Sequence, residues 1–249
     1  MLKKLYQKDQ SWFAILFIIV YIVGTSVADQ LSRNIGVQKS ITTLFFALLI
    51  FVLYGFIKRN AMQKEYGLCK VVYPVSKWVF YAPLALVASV NLWFGVQLNM
   101  TVIESAFYAF SMLLVGFLEE LIFRGLLFKA LSKSNMRAAI IVSSITFGMG
   151  HIINLINGSG AELVSTLYQI VYASALGFLF VTIFYCTKSL WPCIITHSVI
   201  NALSTFINRT MMSTFILPIA FIITLVSLGY ALFLWKTVIQ AKNPNTQEE

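Results

Sequence analysis

The chain has 249 residues, of which 59% are hydrophobic and only 11% charged, and its mean hydropathy is +0.83. That composition excludes an ordinary soluble domain and requires a protein whose outer surface faces lipid. The net charge of +9 is not a nucleic-acid footprint, because the basic residues sit between apolar runs and form no aromatic-laced patch; Cys69, Cys186 and Cys193 are odd in number and lack a CxxC spacing, which excludes a disulfide framework or zinc knuckle.

Taken in chain order, apolar runs fall at about 12–28, 41–57, 78–98, 105–131, 138–156, 163–186, 190–207 and 214–235. Each is close to the length that crosses about 30 Å of hydrocarbon. The pattern predicts an all-α fold: a polytopic membrane bundle of about eight transmembrane helices, forming one integral membrane domain over residues 1–249. With Lys3, Lys4 and Lys8 on the cytosolic side, fourteen of the 18 Lys and Arg residues fall in cytosolic segments. Only Arg33, Lys39 and Arg209 face the other side, and Arg124 lies within a span. The positive-inside rule therefore predicts that both termini are cytosolic.

The first run ends Ser26-Val27-Ala28, which has the form of a signal cleavage site, but its apolar stretch is longer than a usual signal core and reads as a retained span. The triplets starting at Asn99, Asn157 and Asn208 match the glycosylation pattern, yet such triplets arise by chance in polar loops and carry no argument here. The polar tail Asn243 to Glu249 is expected to be mobile.

The fourth run contains Glu119-Glu120-Leu121-Ile122-Phe123-Arg124-Gly125. A charge at the bilayer centre costs roughly 2.5 to 3.5 kcal/mol, so three together threaten about 8 to 10 kcal/mol unless they pair or face a wet cavity. Helical geometry puts Glu120 and Arg124 four residues apart on one face, where they can pair. Glu119 points about 100° away and is the freer carboxylate. Both histidines also lie in apolar runs, His151 in Phe147-Gly148-Met149-Gly150-His151 and His197 in His197-Ser198-Val199-Ile200-Asn201. His197 and Asn201 share a face, and Phe147 stands in the same relation to His151, where ring packing can fix the imidazole. Gly148 and Gly150 fit a close helix approach at least as well as any catalytic role.

Glu, His, His and Asn gathered within a bilayer suit hydrolysis by water. Ser198 points away from His197 and there is no GxSxG, so a serine triad has little support. A poorly solvated carboxylate is a good base for water, and an imidazole can hold that water or protonate a leaving amine. The Asn201 amide and a neighbouring imidazole can donate to the developing oxyanion. The bland alternative is a structural charge cluster between helices.

These residues resemble the CAAX prenyl endopeptidase and bacteriocin-processing (CPBP, or Abi) family of intramembrane proteases, whose pattern is EExxxR, FxxxH and HxxxN in that order. Here the elements are Glu119-Glu120 to Arg124, Phe147 to His151, and His197 to Asn201. They lie within a catalytic motif region of about 105–207, while the first three runs and the last match only in being apolar. The resemblance implies an intramembrane endopeptidase acting on a membrane-associated or lipid-linked protein or peptide. It implies that Glu119 and His151 activate water, that His197 and Asn201 stabilise the oxyanion, and that Glu120, Arg124 and Phe147 support them. Family members have been described both as metalloproteases and as glutamate-dependent enzymes. If zinc is held, Glu119, His151 and His197 are the candidate ligands, although the HExxH spacing is absent; otherwise no cofactor is expected.

The expected partners are the lipid bilayer and a peptide or protein substrate, with no nucleic acid, and the expected location is a bacterial plasma membrane. Two other classes compete with the protease reading. A non-catalytic scaffold or bacteriocin-immunity protein would keep the fold and bind through its loops. A proton-coupled transporter would use the same ionisable residues as a relay, but would favour inverted repeats or broken helices that the sequence does not display.

Overall fold

A computed structural model describes residues 2–71, 81–157 and 160–236. Gly158 and Ser159 of the second triplet, part of the third apolar run, and the tail Asn243 to Glu249 lie outside the described residues. In chain order the α-helices are α1 (Leu2–Lys8), α2 (Gln10–Ile35), α3 (Ser40–Arg59), α4 (Ala82–Ala88), α5 (Val102–Glu119), α6 (Lys129–Leu131), α7 (Met136–Met149), α8 (Leu163–Thr187), α9 (Trp191–Leu203), α10 (Arg209–Thr214) and α11 (Ile216–Leu234). A π-helical stretch, Glu120–Phe128, joins α5 to α6, and a 3-10 stretch, Gly150–Leu155, continues α7.

Local chemistry sets these ends. Asp9 caps α2 by accepting from the amides of Ser11 (2.7 Å) and Trp12 (3.1 Å), and Gly36 closes it at φ 79°, a left-handed conformation that glycine adopts without strain. Helix α2 runs unbroken through Ser26-Val27-Ala28. Thr101 and Glu104 form a reciprocal capping box at the start of α5, and Asn135 caps α7. The α8–α9 turn passes through Lys188 at φ 57° and is held by the loop before the third run: Leu190 N–H donates to Gly67 O (2.8 Å) and Ser189 Oγ to Cys69 O (2.7 Å).

Among the described residues six helical stretches are long and apolar enough to cross a membrane: Gln10–Ile35, Ser40–Arg59, Val102–Leu131, Met136–Leu155, Leu163–Thr187 and Ile216–Leu234. This is an all-α membrane bundle, and the protein is an integral membrane protein. Its centre is α8, with 67% of its most apolar stretch buried against 28% for α2 and α11, which present most of their grease outward. The other two apolar runs take a different form. The run at 190–207 gives only the 13-residue α9 and a 3-10 turn, Ser204–Phe206, because the chain then straightens and bridges Val96 through Ile207. The described part of the run at 78–98 gives the seven-residue α4 and a 3-10 turn, Val90–Leu92, and the chain bends at Gly95, φ 83°. These short helices are held by neighbours: the Asn91 amide donates to Ile200 O (2.6 Å), and Gln97 N–H to Phe206 O (2.7 Å).

Loop contacts sort the connections into two groups. Residues 67–69 meet 188–190, and Tyr66 donates to Tyr6 (2.8 Å) beside Glu65, which puts the amino-terminal helix with that group. Burial and the bond to Tyr6 push the Tyr66 hydroxyl well above its ordinary pKa, so this staple stays protonated. At the opposite ends, Arg33 donates to Asn157 O (3.3 Å), and residues 97–99 meet 205–207. Reporter fusions at Lys64 and Asn135 should therefore share one compartment and fusions at Asn99 and Asn157 the other. By the basic bias of the sequence, the first compartment is expected to be the cytosol. Opposite readings at two of the four positions would overturn this sidedness.

Candidate active site

The two adjacent carboxylates stand where α5 gives way to the π-helical stretch. Its wider i to i+5 turns are uncommon and often found at functional positions; here all nine residues, Glu120–Phe128, are buried. Glu120 and Arg124 are both 0% exposed, and Arg124 Nη1 donates to Glu120 Oε1 at 3.1 Å. The same oxygen lies 2.8 Å from His197 Nδ1. Glu120 is thus shared between a guanidinium and an imidazole. A carboxylate ionised by Arg124 can only accept, which puts the proton of that contact on Nδ1. His197 Nε2 then points to the second carboxylate, 3.6 Å from Glu119 Oε2, too far for a direct hydrogen bond and near enough for a bridged one.

Arg124 has unusual surroundings. Its Nε and Nη2 have no hydrogen-bond partner among the described residues, and the guanidinium carbon sits 4.0 Å from the centre of the Phe147 ring, with Phe180 at 5.6 Å. Aromatic faces take the place of acceptors, an interaction worth about 2 kcal/mol when desolvated. Phe147 also meets His151 edge-on at 5.9 Å and His197 at 5.5 Å. One ring therefore packs against three of the polar residues.

Glycines set how closely the supporting helices approach. A Cβ on Gly116 would lie 2.6 Å from Ser198 Cα, so α5 and α9 touch backbone to backbone, and Ser198 Oγ locks the contact by donating to Leu113 O (2.8 Å). Gly148 is closed in by Ser174 and by Ile170 O (2.7 Å), and Gly177 by Ser144, which seats α7 on α8. Gly150 has open space beside it, so the close approach expected of both glycines holds for Gly148 alone.

The seven candidates read from the sequence occupy distinct places. Glu119, Glu120, Arg124, Phe147 and His197 form one connected cluster. His151 stands at its edge, in ring contact with Phe147 and in electrostatic reach of Glu119 and His197. Asn201 follows His197 by one turn of α9, half-buried, with no hydrogen bond from its carboxamide among the described residues. Two participants were not anticipated. Tyr21 donates to Glu119 Oε1 at 2.6 Å, and Phe180 packs on His197 at 5.9 Å. A tyrosine in the middle of an apolar run, away from the interfacial belts, was the available signal for the first. The second has none, since a phenylalanine in a greasy helix is unremarked.

Metal binding would need about three convergent ligands. Among the described residues no three His, Cys, Asp or Glu side chains are grouped to hold an ion, and His197 Nδ1 is committed to Glu120. The arrangement does not fit a zinc shell, so no step below passes through one.

Helices that span a membrane, with carboxylates and imidazoles gathered inside the bundle, define a membrane protein with a site for acid–base chemistry. Residues 101–203 match the family described as type II CAAX prenyl endopeptidase Rce1-like, which places the segment carrying all three motifs among the CAAX proteases. Nothing matches among curated proteins or solved structures. The family so described is one of peptidases, and the segment of this chain that is similar to it is the one carrying the glutamate and histidine motifs.

The two carboxylates should respond differently to loss of charge. Glu120→Gln strands a fully buried guanidinium, and should lower stability by about 3 to 5 kcal/mol. Glu119→Gln removes no partner of Arg124 and should leave detergent-extracted yield and melting temperature close to wild type. Thermal melts of the purified variants check the contrast.

Proposed function

We propose that the chain hydrolyses a peptide bond in a membrane-associated or lipid-linked protein or peptide, with Glu119 as the base that takes a proton from water. What carries this reading is the asymmetry of the pair. Glu120 is consumed by Arg124 and His197, whereas Glu119 keeps Oε2 outside any direct hydrogen bond, 3.6 Å from an imidazole nitrogen. A base must have a free lone pair within reach of the proton it abstracts.

In this scheme water attacks the scissile carbonyl carbon as its proton passes to Glu119. His151, beside Phe147 and near Glu119, holds the water, and the proton taken up by Glu119 is passed through His151 to the leaving amine as the C–N bond breaks, releasing amine and carboxylic acid. Asn201 donates to the oxyanion through its free carboxamide, and His197, one turn earlier on α9 and aimed by the bond of Nδ1 to Glu120, adds a second donor from Nε2 in the form that carries a proton on both ring nitrogens. Glu120, Arg124 and Phe147 hold the donors in place. The reaction needs no cofactor in this reading. Lipid-linked substrates suit a site reached from within the bilayer, and the cell setting proposed is a bacterial plasma membrane with both termini in the cytosol.

Purified protein tested on a quenched-fluorescent peptide ending in a farnesylated CAAX sequence addresses the base directly. Glu119→Gln should lower turnover by about 100-fold or more. Full activity in that variant would remove the assignment. His151→Ala and Asn201→Ala should each lower kcat without loss of the folded protein.

The same peptide addresses the metal. Activity should survive exhaustive chelation, and metal analysis of active protein should find zinc well below one per chain. Stoichiometric zinc, lost with activity and restoring it on return, would show that His151, His197 and Glu119 act as ligands instead.

A further inference from the structure

Helix α2 lies outside the matched segment 101–203, yet it delivers a polar group to the reactive carboxylate. Tyr21 is 8% exposed, and its hydroxyl donates to Glu119 Oε1 at 2.6 Å, a short contact of the kind made to an ionised oxygen. The ring is not free to swing. It stacks on Phe46 of α3, itself buried, with centroids 5.8 Å apart and planes inclined by 27°. The chain therefore places a rigid donor, supported by a third helix, against one chosen oxygen of Glu119.

The choice of oxygen matters. Glu119 can rotate about its terminal bond, and two equivalent oxygens would present two orientations to the reacting water. With Oε1 tied to Tyr21, Oε2 is the oxygen that faces His197 Nε2. We propose that Tyr21 is a positioning residue: it locks the Glu119 carboxylate so that one oxygen is held by the protein and the other is turned to the water. Resting on the general-base reading of Glu119, this extends the working site to an amino-terminal helix that the sequence motifs do not include. A plain packing staple between α2 and the π-helical stretch would share the geometry but not the kinetics. Misorienting a base by a fraction of an ångström lowers the rate of chemistry, whereas loosening a helix contact lowers stability.

The experiment uses full-length protein in detergent with the farnesylated fluorogenic peptide, comparing wild type with Tyr21→Phe, Glu119→Asp, Glu119→Gln and the double variant Tyr21→Phe/Glu119→Asp. Tyr21→Phe keeps the ring and its stacking. It should lower kcat about 10-fold with KM and melting temperature unchanged, as loss of one hydrogen bond to a charged group predicts. In the Glu119→Asp background, where the shortened carboxylate no longer reaches the hydroxyl, the same change should have little further effect. Wild-type kcat in Tyr21→Phe, a loss confined to KM or to melting temperature, or fully multiplicative losses in the double variant would overturn the positioning role. If Glu119→Gln is inactive while Tyr21→Phe is normal, only the role of Tyr21 fails; if Glu119→Gln is fully active, the general-base reading itself fails.

Infrared difference spectra supply a readout that needs no substrate. The carboxylate band lost in Glu119→Gln should be displaced in Tyr21→Phe. An unmoved band would overturn the proposal even if the peptide is not cleaved.

Discussion

One oxygen of Glu120 organises the centre of this protein. It accepts from Arg124 at 3.1 Å and meets His197 Nδ1 at 2.8 Å, at a point where all three side chains are buried. A carboxylate and a guanidinium buried without each other would each cost several kcal/mol. Together they are tolerable, and the third partner converts a neutralised pair into a frame. His197 is oriented because Glu120 is charged, and Glu120 is charged because Arg124 cannot lose its proton.

The frame explains why the surrounding helices pack as they do. Arg124 rests on Phe147, which in turn meets both imidazoles, so α7 must lie close to the π-helical stretch. Gly177 lets α7 approach α8 beside Arg124: a Cβ there would stand 3.0 Å from Ser144 and 3.3 Å from the guanidinium. On the other side Gly116 brings α9, and with it His197, against α5. Without a hydrophobic drive between helices in lipid, such small-residue contacts and polar links are what hold a bundle together. The same contacts that answer the charge problem thus fix the positions of the groups proposed to react.

Much of this was legible in the chain. Apolar runs spaced by basic loops gave the membrane bundle, and the i, i+4 relation of Glu120 to Arg124 gave their pairing, because both follow from regular periodicity. Where periodicity breaks, the reading loses detail. The runs at 190–207 and 78–98 look like spans by composition, but the described residues there form short helices ended by turns and held by backbone acceptors on other helices. The π-helical geometry at Glu120–Phe128 leaves no mark in hydropathy. Contacts between distant segments were equally hidden: Tyr21 and Glu119 are 98 residues apart, and nothing in either local pattern announces the other. That Glu120 also holds His197 depends on the close crossing of α5 and α9 at Gly116, which no pattern in the sequence announced.

The claim that a balanced buried charge pair underlies both stability and the aim of His197 is tested most directly by a double-mutant cycle on that pair. Melting free energies and turnover would be measured for Glu120→Gln, Arg124→Met and the two combined. If the pair is as described, the double variant, which leaves no uncompensated charge, recovers most of the stability that either single change removes, while turnover stays low because His197 has lost its ionised anchor. Additive stability losses, or a stable double variant with wild-type turnover, would contradict the account.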